Sequence, residues 1–343
     1  MSQLPTSEHN ELRQVVRTFL ERRSSEDAVR VAVDSERGYD ADVWLQASQQ
    51  LGLSALAIPE DAGGAGFGMR EVGIAFEEAG RSLFCAPLLS SFLATQALVF
   101  SGAESDALPA LAAGERLGAL GYLDTSVIER DGRLTGDVGF VIDGAVADDL
   151  VVLAEDGVYV VSDGFTTRTL TVLDPTRRQA VVSFHAAPAR RLGDRDLLDV
   201  VLLRAAAAVA AELTGVAAKL LDVSVEYAKT RYQFGKPIGS FQAIKHKLVD
   251  MYIAVETARA ASWDALWAAD QDPAAFPLAA AQAKAIASES AVFVAAEAIQ
   301  VHGGIGFTWE HPAHLYYRRA VTSELLFGSP AEHRERVATE IGL

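Results

Sequence analysis

Cysteine is almost absent from this chain: Cys85 is the only one in 343 residues. No internal disulfide framework can exist, which suits a reducing compartment, and Cys85 itself reads as a small core residue. Positive charge is also short. Thirty Lys and Arg against 46 Asp and Glu give a net charge of −16 and a pI near 4.9, which repels phosphate backbones and excludes a general nucleic-acid surface. Any grip on an anionic ligand must therefore be local. The first ten residues lack both a basic start and an apolar run, so no secretory signal is visible. The most apolar stretch, Val200 to Ala218, is broken by Arg204 and Glu212 and reads as a buried helix rather than a membrane span. A soluble, cytoplasmic protein is expected. Metal-ligand spacing is missing: His185, His246 and His311 have no acid or cysteine placed to work with them. His302 has no serine, cysteine or second histidine suitably spaced, and it reads as structural. Internal repeats and low-complexity tails are absent.

What is present is an ordinary globular composition, 50% hydrophobic and 22% charged, long enough for more than one domain. Residues 1–116 are helical in pattern, with Leu12, Val15, Val16 and Phe19 at three- and four-residue spacing. Ser7 is a plausible first N-cap, with Glu11 in an acidic first turn. Residues 117–195 change to short β-rich runs, Leu150–Leu153, Val158–Val161, Thr169–Leu173 and Ala180–Phe184, separated by turn signals such as Asp131-Gly132 and Glu155-Asp156-Gly157. This predicts a small antiparallel β domain. Residues 196–343 return to alanine- and leucine-rich helices over about 197–230, 240–270 and 275–302, with stops at Gly235, Asp272-Pro273 and Gly303-Gly304. Three long helices in succession suggest an up-down bundle. Arg190-Arg191 reads as a solvated hinge.

Two runs carry chemistry. Arg231-Tyr-Gln233-Phe234-Gly235-Lys-Pro-Ile-Gly-Ser-Phe-Gln242 puts a fixed cation, an aromatic face, a flexible glycine and carboxamides within one turn and a helix start. That set suits a pyrophosphate with a flat ring beside it. Gln300-Val-His-Gly303-Gly304-Ile-Gly-Phe307 removes side chains from a helix terminus, so that backbone amides can approach a ligand. Alone, the first run is also what a plain helix–helix connection looks like. The glycines of Gly63-Gly64-Ala-Gly66-Phe-Gly68 are not a dinucleotide fingerprint, because no strand precedes them, and they read as a turn after Pro59-Glu60.

In this order and about seventy residues apart, the two runs resemble the acyl-CoA dehydrogenases, a family of flavoenzymes. The resemblance extends through Glu310-His-Pro312 to Gly328 and to the N-terminal stretches Glu11–Leu20 and Leu51–Gly64. It implies a mainly α fold with a β insert: an N-terminal helical domain, a small antiparallel β domain and a C-terminal helical bundle. It implies FAD as cofactor, with Arg231 on the pyrophosphate and Phe234 against the adenosine or ribityl part. Gln233, Gln242, Gln300, Gly303 and Gly304 complete the contacts to the ADP half.

The chain departs from the family where the chemistry is done. The carboxylate base that removes the α proton of the thioester falls, on the resemblance, at Phe327 or, in a minority of members, at Ala205; Glu324 and Glu212 lie off that register. The Thr-Glu-Pro-x-x-Gly-Ser-Asp strand that lines the flavin ring has no counterpart between Tyr122 and Leu134. Where the family has Trp-Ile-Thr against the flavin, this chain has Phe140, Val141 and Ile142, without the hydroxyl. The set that one subunit donates to its neighbour's ADP is kept, and much of the set used on a chain's own flavin is gone. The resemblance thus implies one subunit of an α2β2 acyl-CoA dehydrogenase, like the short chains that actinobacteria use on steroid side-chain CoA thioesters. A homologous partner would supply the base, the substrate would be an acyl-CoA, and an electron-transfer flavoprotein would take the electrons. A homomeric biosynthetic flavoenzyme and a flavin-free structural subunit are the alternatives.

Overall fold

A computed structural model describes residues 4–103 and 105–343. Six helices come first: α1 (Ser7–Arg23), α2 (Glu26–Asp34), α3 (Ala41–Leu51), α4 (Met69–Arg81), α5 (Leu88–Ser101) and α6 (Ala107–Ala112). Nine strands follow: β1 (Gly118–Gly121), β2 (Leu123–Thr125), β3 (Ile128–Arg130), β4 (Arg133–Ile142), β5 (Asp149–Leu153), β6 (Val158–Val161), β7 (Phe165–Thr169), β8 (Gln179–Pro188) and β9 (Arg190–Gly193). Then come α7 (Asp196–Thr230), the hairpin β10 (Tyr232–Gln233) and β11 (Lys236–Pro237), α8 (Gln242–Gln271), α9 (Phe276–His302), α10 (Ala313–Leu325) and α11 (Pro330–Glu340). The order helical, β, helical is the one expected. Contacts group the chain into two compact units, Met1–Val29 with Met69–Phe84 and Ala206–Leu343, and Arg30–Gly68 with Cys85–Ala205.

In the first unit, Thr6 rather than Ser7 caps α1. Thr6 stands in extended backbone and its hydroxyl accepts from the His9 amide, while His9 Nδ1 accepts from the Thr6 amide 3.0 Å away. Ser7 is left as the first helical residue, and Glu8 supplies the acidic charge of the first turn. Ion pairs fasten α1 to α4, Arg13 to Glu77 at 2.6 Å and Arg17 to Glu78 at 2.7 Å. The backbone of α4 also lies against α7: a Cβ on Gly215 would stand 1.8 Å from the Glu77 carbonyl oxygen, so only glycine allows the approach. The helices α7, α8 and α9 run 35, 30 and 27 residues and stop at the expected signals. Both α7 and α9 are long and apolar enough to cross a membrane by length and composition. The most apolar window of α7 is 78% buried inside the protein, as in a core helix.

The second unit carries two sheets, ordered β1-β5-β6-β9 and β2-β4-β8-β7 with β3 also on β4. Leu150, Val152 and Tyr159 of one sheet share a core with Leu134, Val138, Val182 and Phe184 of the other. The pairing is antiparallel except for β1 with β5, which is parallel because β2 to β4 intervene between them and return the chain in the same direction. Of the expected strand runs, Thr169–Leu173 is displaced. The strand there is β7, which ends at Thr169, because Phe165 packs edge-on against Phe184 while Leu173 is left 54% exposed. Arg190-Arg191 is not a hinge: both residues pair with β6 as part of β9, and Arg191 donates to the Asp156 carbonyl. The 63–68 glycines close a turn, as read, with the Gly64 amide on the Pro59 carbonyl and the Gly66 amide on that of Ile58.

Candidate functional site

The C-terminus of α7 is closed by the Arg231 amide, which donates to the Tyr227 carbonyl at 2.8 Å. Directly after it, Tyr232 and Gln233 pair with Pro237 and Lys236 in a tight hairpin. The two loop residues, Phe234 (φ +51°) and Gly235 (φ +79°), have the left-handed backbone of a type I′ turn. Glycine adopts it freely. A phenylalanine does so at a cost of order 1–3 kcal/mol, and here its ring is 90% exposed, touching Phe241 edge-on at 6.1 Å. Strain and solvent exposure at one aromatic residue mark a position kept for something other than stability.

Arg231 is exposed, and among the described residues its guanidinium has no ion pair or hydrogen bond. Gln233, Gln242 (the first residue of α8) and Gln300 (in the last turn of α9) are exposed as well. Gly303 ends α9 with φ +62° and ψ −140°, and a Cβ added at Gly303, Gly304 or Gly235 would meet nothing within 4 Å.

The two sequence runs meet through a side chain that sequence reasoning missed. The Tyr227 ring stacks on His302 with centroids 4.5 Å apart and planes at 30°. His302 is buried, its Nδ1 donates to the Ala298 carbonyl at 2.7 Å, and burial holds its pKa below the ordinary value. His302 therefore acts as a neutral structural ring, as its sequence context suggested. It joins the end of α7 to the Gln300–Gly304 terminus, bringing Arg231, Gln300, Gly303 and Gly304 onto adjoining helix ends.

The two positions where the resemblance puts a base are packed and apolar: Ala205 is 0% exposed and Phe327 8%. Two carboxylates lie nearby in sequence. Glu212 is buried in an ion pair with Arg319 at 2.6 Å, and Glu324 offers its backbone carbonyl to Lys284 Nζ at 2.9 Å. Phe327 and Gly328 themselves sit in a clamped turn with φ +60° and +108°. Lys284, fully buried, donates to the Gly328 carbonyl at 3.1 Å, and His333 Nε2 donates to that of Phe327 at 3.0 Å. Burial pushes Lys284 down to about 8 and His333 down to about 4. In the β unit, Phe140 is half exposed at φ +53° while Val141 and Ile142 are buried. The neighbouring hydroxyls of Thr125 and Ser126 are spent on the Leu153 and Asp137 carbonyls.

The models of the acyl-CoA dehydrogenase C-terminal and N-terminal domains match residues 198–342 and 6–115. The chain is 39% identical over 339 residues to the acyl-CoA dehydrogenase IpdE2 of Mycobacterium tuberculosis, covering 98% of each. Among solved structures it is similar to the ChsE4-ChsE5 complex of Mycobacterium tuberculosis, with TM-score 0.90 and 28% identity over 99% of each chain. It is also similar to a variant of the Tcur3481-Tcur3483 steroid ACAD, with TM-score 0.88 and 28% identity over 97% of each. The chain belongs to the acyl-CoA dehydrogenase family, oxidoreductases whose cofactor is FAD.

Proposed function

We propose that this chain is the cofactor-clamping subunit of a heteromeric acyl-CoA dehydrogenase, holding the ADP half of FAD while a homologous partner supplies the carboxylate base and binds the thioester. One observation carries the reading. The Tyr227–His302 stack brings the guanidinium of Arg231, unpaired among the described residues, to a helix end adjoining Gln300 and the open glycines Gly303 and Gly304, and the positions where the resemblance puts a base hold Ala205 and Phe327. The donor set fits the group. Arg231 can pair a pyrophosphate through its planar fork, Gln233, Gln242 and Gln300 can hydrogen-bond ribose and purine edges, and the missing Cβ atoms at Gly303 and Gly304 leave room for close backbone approach.

FAD held there would supply the hydride acceptor for α,β-desaturation of an acyl-CoA thioester, the base coming from the partner. The residues of this chain bind and orient; none of those at the base positions holds or moves a proton. The exposed apolar residues Val249, Tyr252 and Ile253 of α8 and Phe293 of α9 suit a covering by the partner. The ChsE4-ChsE5 relative is a complex of two differently named chains and the Tcur3481-Tcur3483 relative is a steroid ACAD. Both support a two-chain enzyme acting on a steroid or other lipid CoA thioester; the family resemblance adds an electron-transfer flavoprotein as the acceptor.

Flavin content and acyl-CoA turnover of the chain made alone and with a homologous partner test the reading. Alone it should retain little flavin and no activity; with the partner it should carry about one FAD per heterodimer. Stoichiometric FAD and turnover by the lone chain would overturn it.

A further inference from the structure

A cavity lies wholly within the helical unit. It encloses about 250 Å³ between the α1–α2 junction, the end of α4, the middle of α7 and the start of α10. That is just below the roughly 300 Å³ at which drug-sized ligand pockets begin, so only a small molecule fits. Its lining is mixed: Val29, Leu83, Leu220 and Leu315 form an apolar part, and Ser24, Ser25 and Ser82 add hydroxyls. One wall is strained: Leu83, buried, has φ +46°, a conformation costing of order 1–3 kcal/mol for such a side chain.

Against the apolar part stand three basic groups. The Arg81 guanidinium is engaged by Asp222 at 2.7 Å. Lys219, half-buried, makes no ion pair or hydrogen bond among the described residues. His311 Nδ1 accepts from the Ala313 amide at 3.2 Å, so in the neutral ring the proton lies on Nε2. The acids that line the cavity, Glu21 and Glu26, are exposed, where solvent and salt screen them. One ammonium without a partner beside that apolar part, in a chain of net charge −16, selects a monoanion with an apolar body. A phosphate would call for several converging donors.

We infer that this cavity binds a small amphipathic carboxylate, its charge on Lys219 and its hydrocarbon against Leu83 and Leu220, and that occupancy is coupled to the cofactor clamp. The coupling route is continuous. The His311 ring lies 4.3 Å from that of His302, which stacks on Tyr227, whose carbonyl fixes the Arg231 amide. The binding site stands independently; only the coupling rests on the clamp reading.

Butyrate titrated calorimetrically into the full chain with its partner and FAD is the test. Saturable binding at one site per chain is expected, with Lys219→Met and Val223→Trp each weakening it at least tenfold. Butyramide, of equal size but uncharged, should bind at least tenfold more weakly. Should Lys219→Met fail to fold, Val223→Trp decides, because it fills the chamber and keeps the ammonium. No saturable binding, undiminished binding in Val223→Trp, or equal affinity for butyramide overturns the site; tighter binding of inorganic phosphate overturns the carboxylate class. Saturating butyrate should shift FAD affinity at least threefold, and His311→Ala should abolish that shift; an unchanged FAD affinity overturns the coupling. Measured on the flavin-free complex, Arg231→Ala should leave butyrate affinity unaltered, so failure of the clamp reading and failure of the cavity reading give different results.

Discussion

The rings of Tyr227 and His302, 75 residues apart in sequence, stack with centroids 4.5 Å apart. The contact joins the two motifs that carry the functional reading. Tyr227→Ala should remove a stacked aromatic pair, which contributes about 0.5–1.5 kcal/mol beyond area burial, and loosen the clamp. FAD affinity of the complex should fall several-fold or more, while Tyr227→Phe, which keeps the ring, should stay within about twofold. Equal losses in the two variants would place the effect in the hydroxyl and not in the stack.

Arg231 tests the clamp directly. Losing a charge-assisted hydrogen bond costs on the order of 1.5–3 kcal/mol, so Arg231→Ala should weaken FAD binding roughly ten- to a hundredfold. Arg231→Lys should recover only part, since a point charge lacks the planar fork. An arginine that is merely a helix-end surface residue predicts no change, and titration of FAD into the deflavinated complex separates the two.

Much of the fold was legible because its signals are local. Gly303 and Asp272-Pro273 stop α9 and α8 where read, and Asp131-Gly132 makes the β3–β4 turn with φ +51° and +74°. The readings that differ depended on competition between neighbours or on distant partners. Thr6 captured the cap from Ser7 because it stood in extended backbone. Thr169–Leu173 alternates like a strand, but Phe165 had the aromatic partner in Phe184. The parallel β1–β5 pairing is a long-range property invisible to periodicity. At the proposed site, residue types and spacing are what single out Arg231 and the glycines. The Tyr227 contact had no sequence signal, since a tyrosine near a helix end is ordinary.

Glu212 separates a structural from a catalytic carboxylate. Its partner Arg319 is buried with it at 2.6 Å, and removing one member of a buried pair typically costs about 3–5 kcal/mol. Glu212→Gln should therefore lower the melting temperature strongly, and whatever folded complex remains should turn over normally. Full stability with abolished turnover would make Glu212 the base and sink the assignment of that role to the partner.

His333 sets an acid limit. Its pKa is lowered from the ordinary 6.5 to about 4, chiefly by burial and then by the charge of Lys284. Between these values the unfolded chain binds a proton that the native state refuses, so stability rises with pH across this window and is lost as pH falls from about 6.5 toward about 4. His302, lowered in the same direction, adds to the trend. Melting temperatures from pH 4.5 to 7.5 should rise with pH, and His333→Gln should flatten the slope. An unchanged slope in the variant would remove His333 from the account.

Gly304 gives the cleanest separation of fold from function. A Cβ there meets nothing within 4 Å, and unlike Gly303 it is not in a left-handed conformation. Gly304→Ala should therefore leave the flavin-free chain within about 0.5 kcal/mol of wild type, as surface substitutions usually do. The same methyl would occupy the space that an ADP moiety needs for close approach to the α9 terminus, so FAD affinity should drop at least tenfold with no loss of folded protein. A variant that binds FAD as tightly as wild type would show that the space beside Gly304 is plain solvent, and the ADP contacts would then have to be sought elsewhere on the chain.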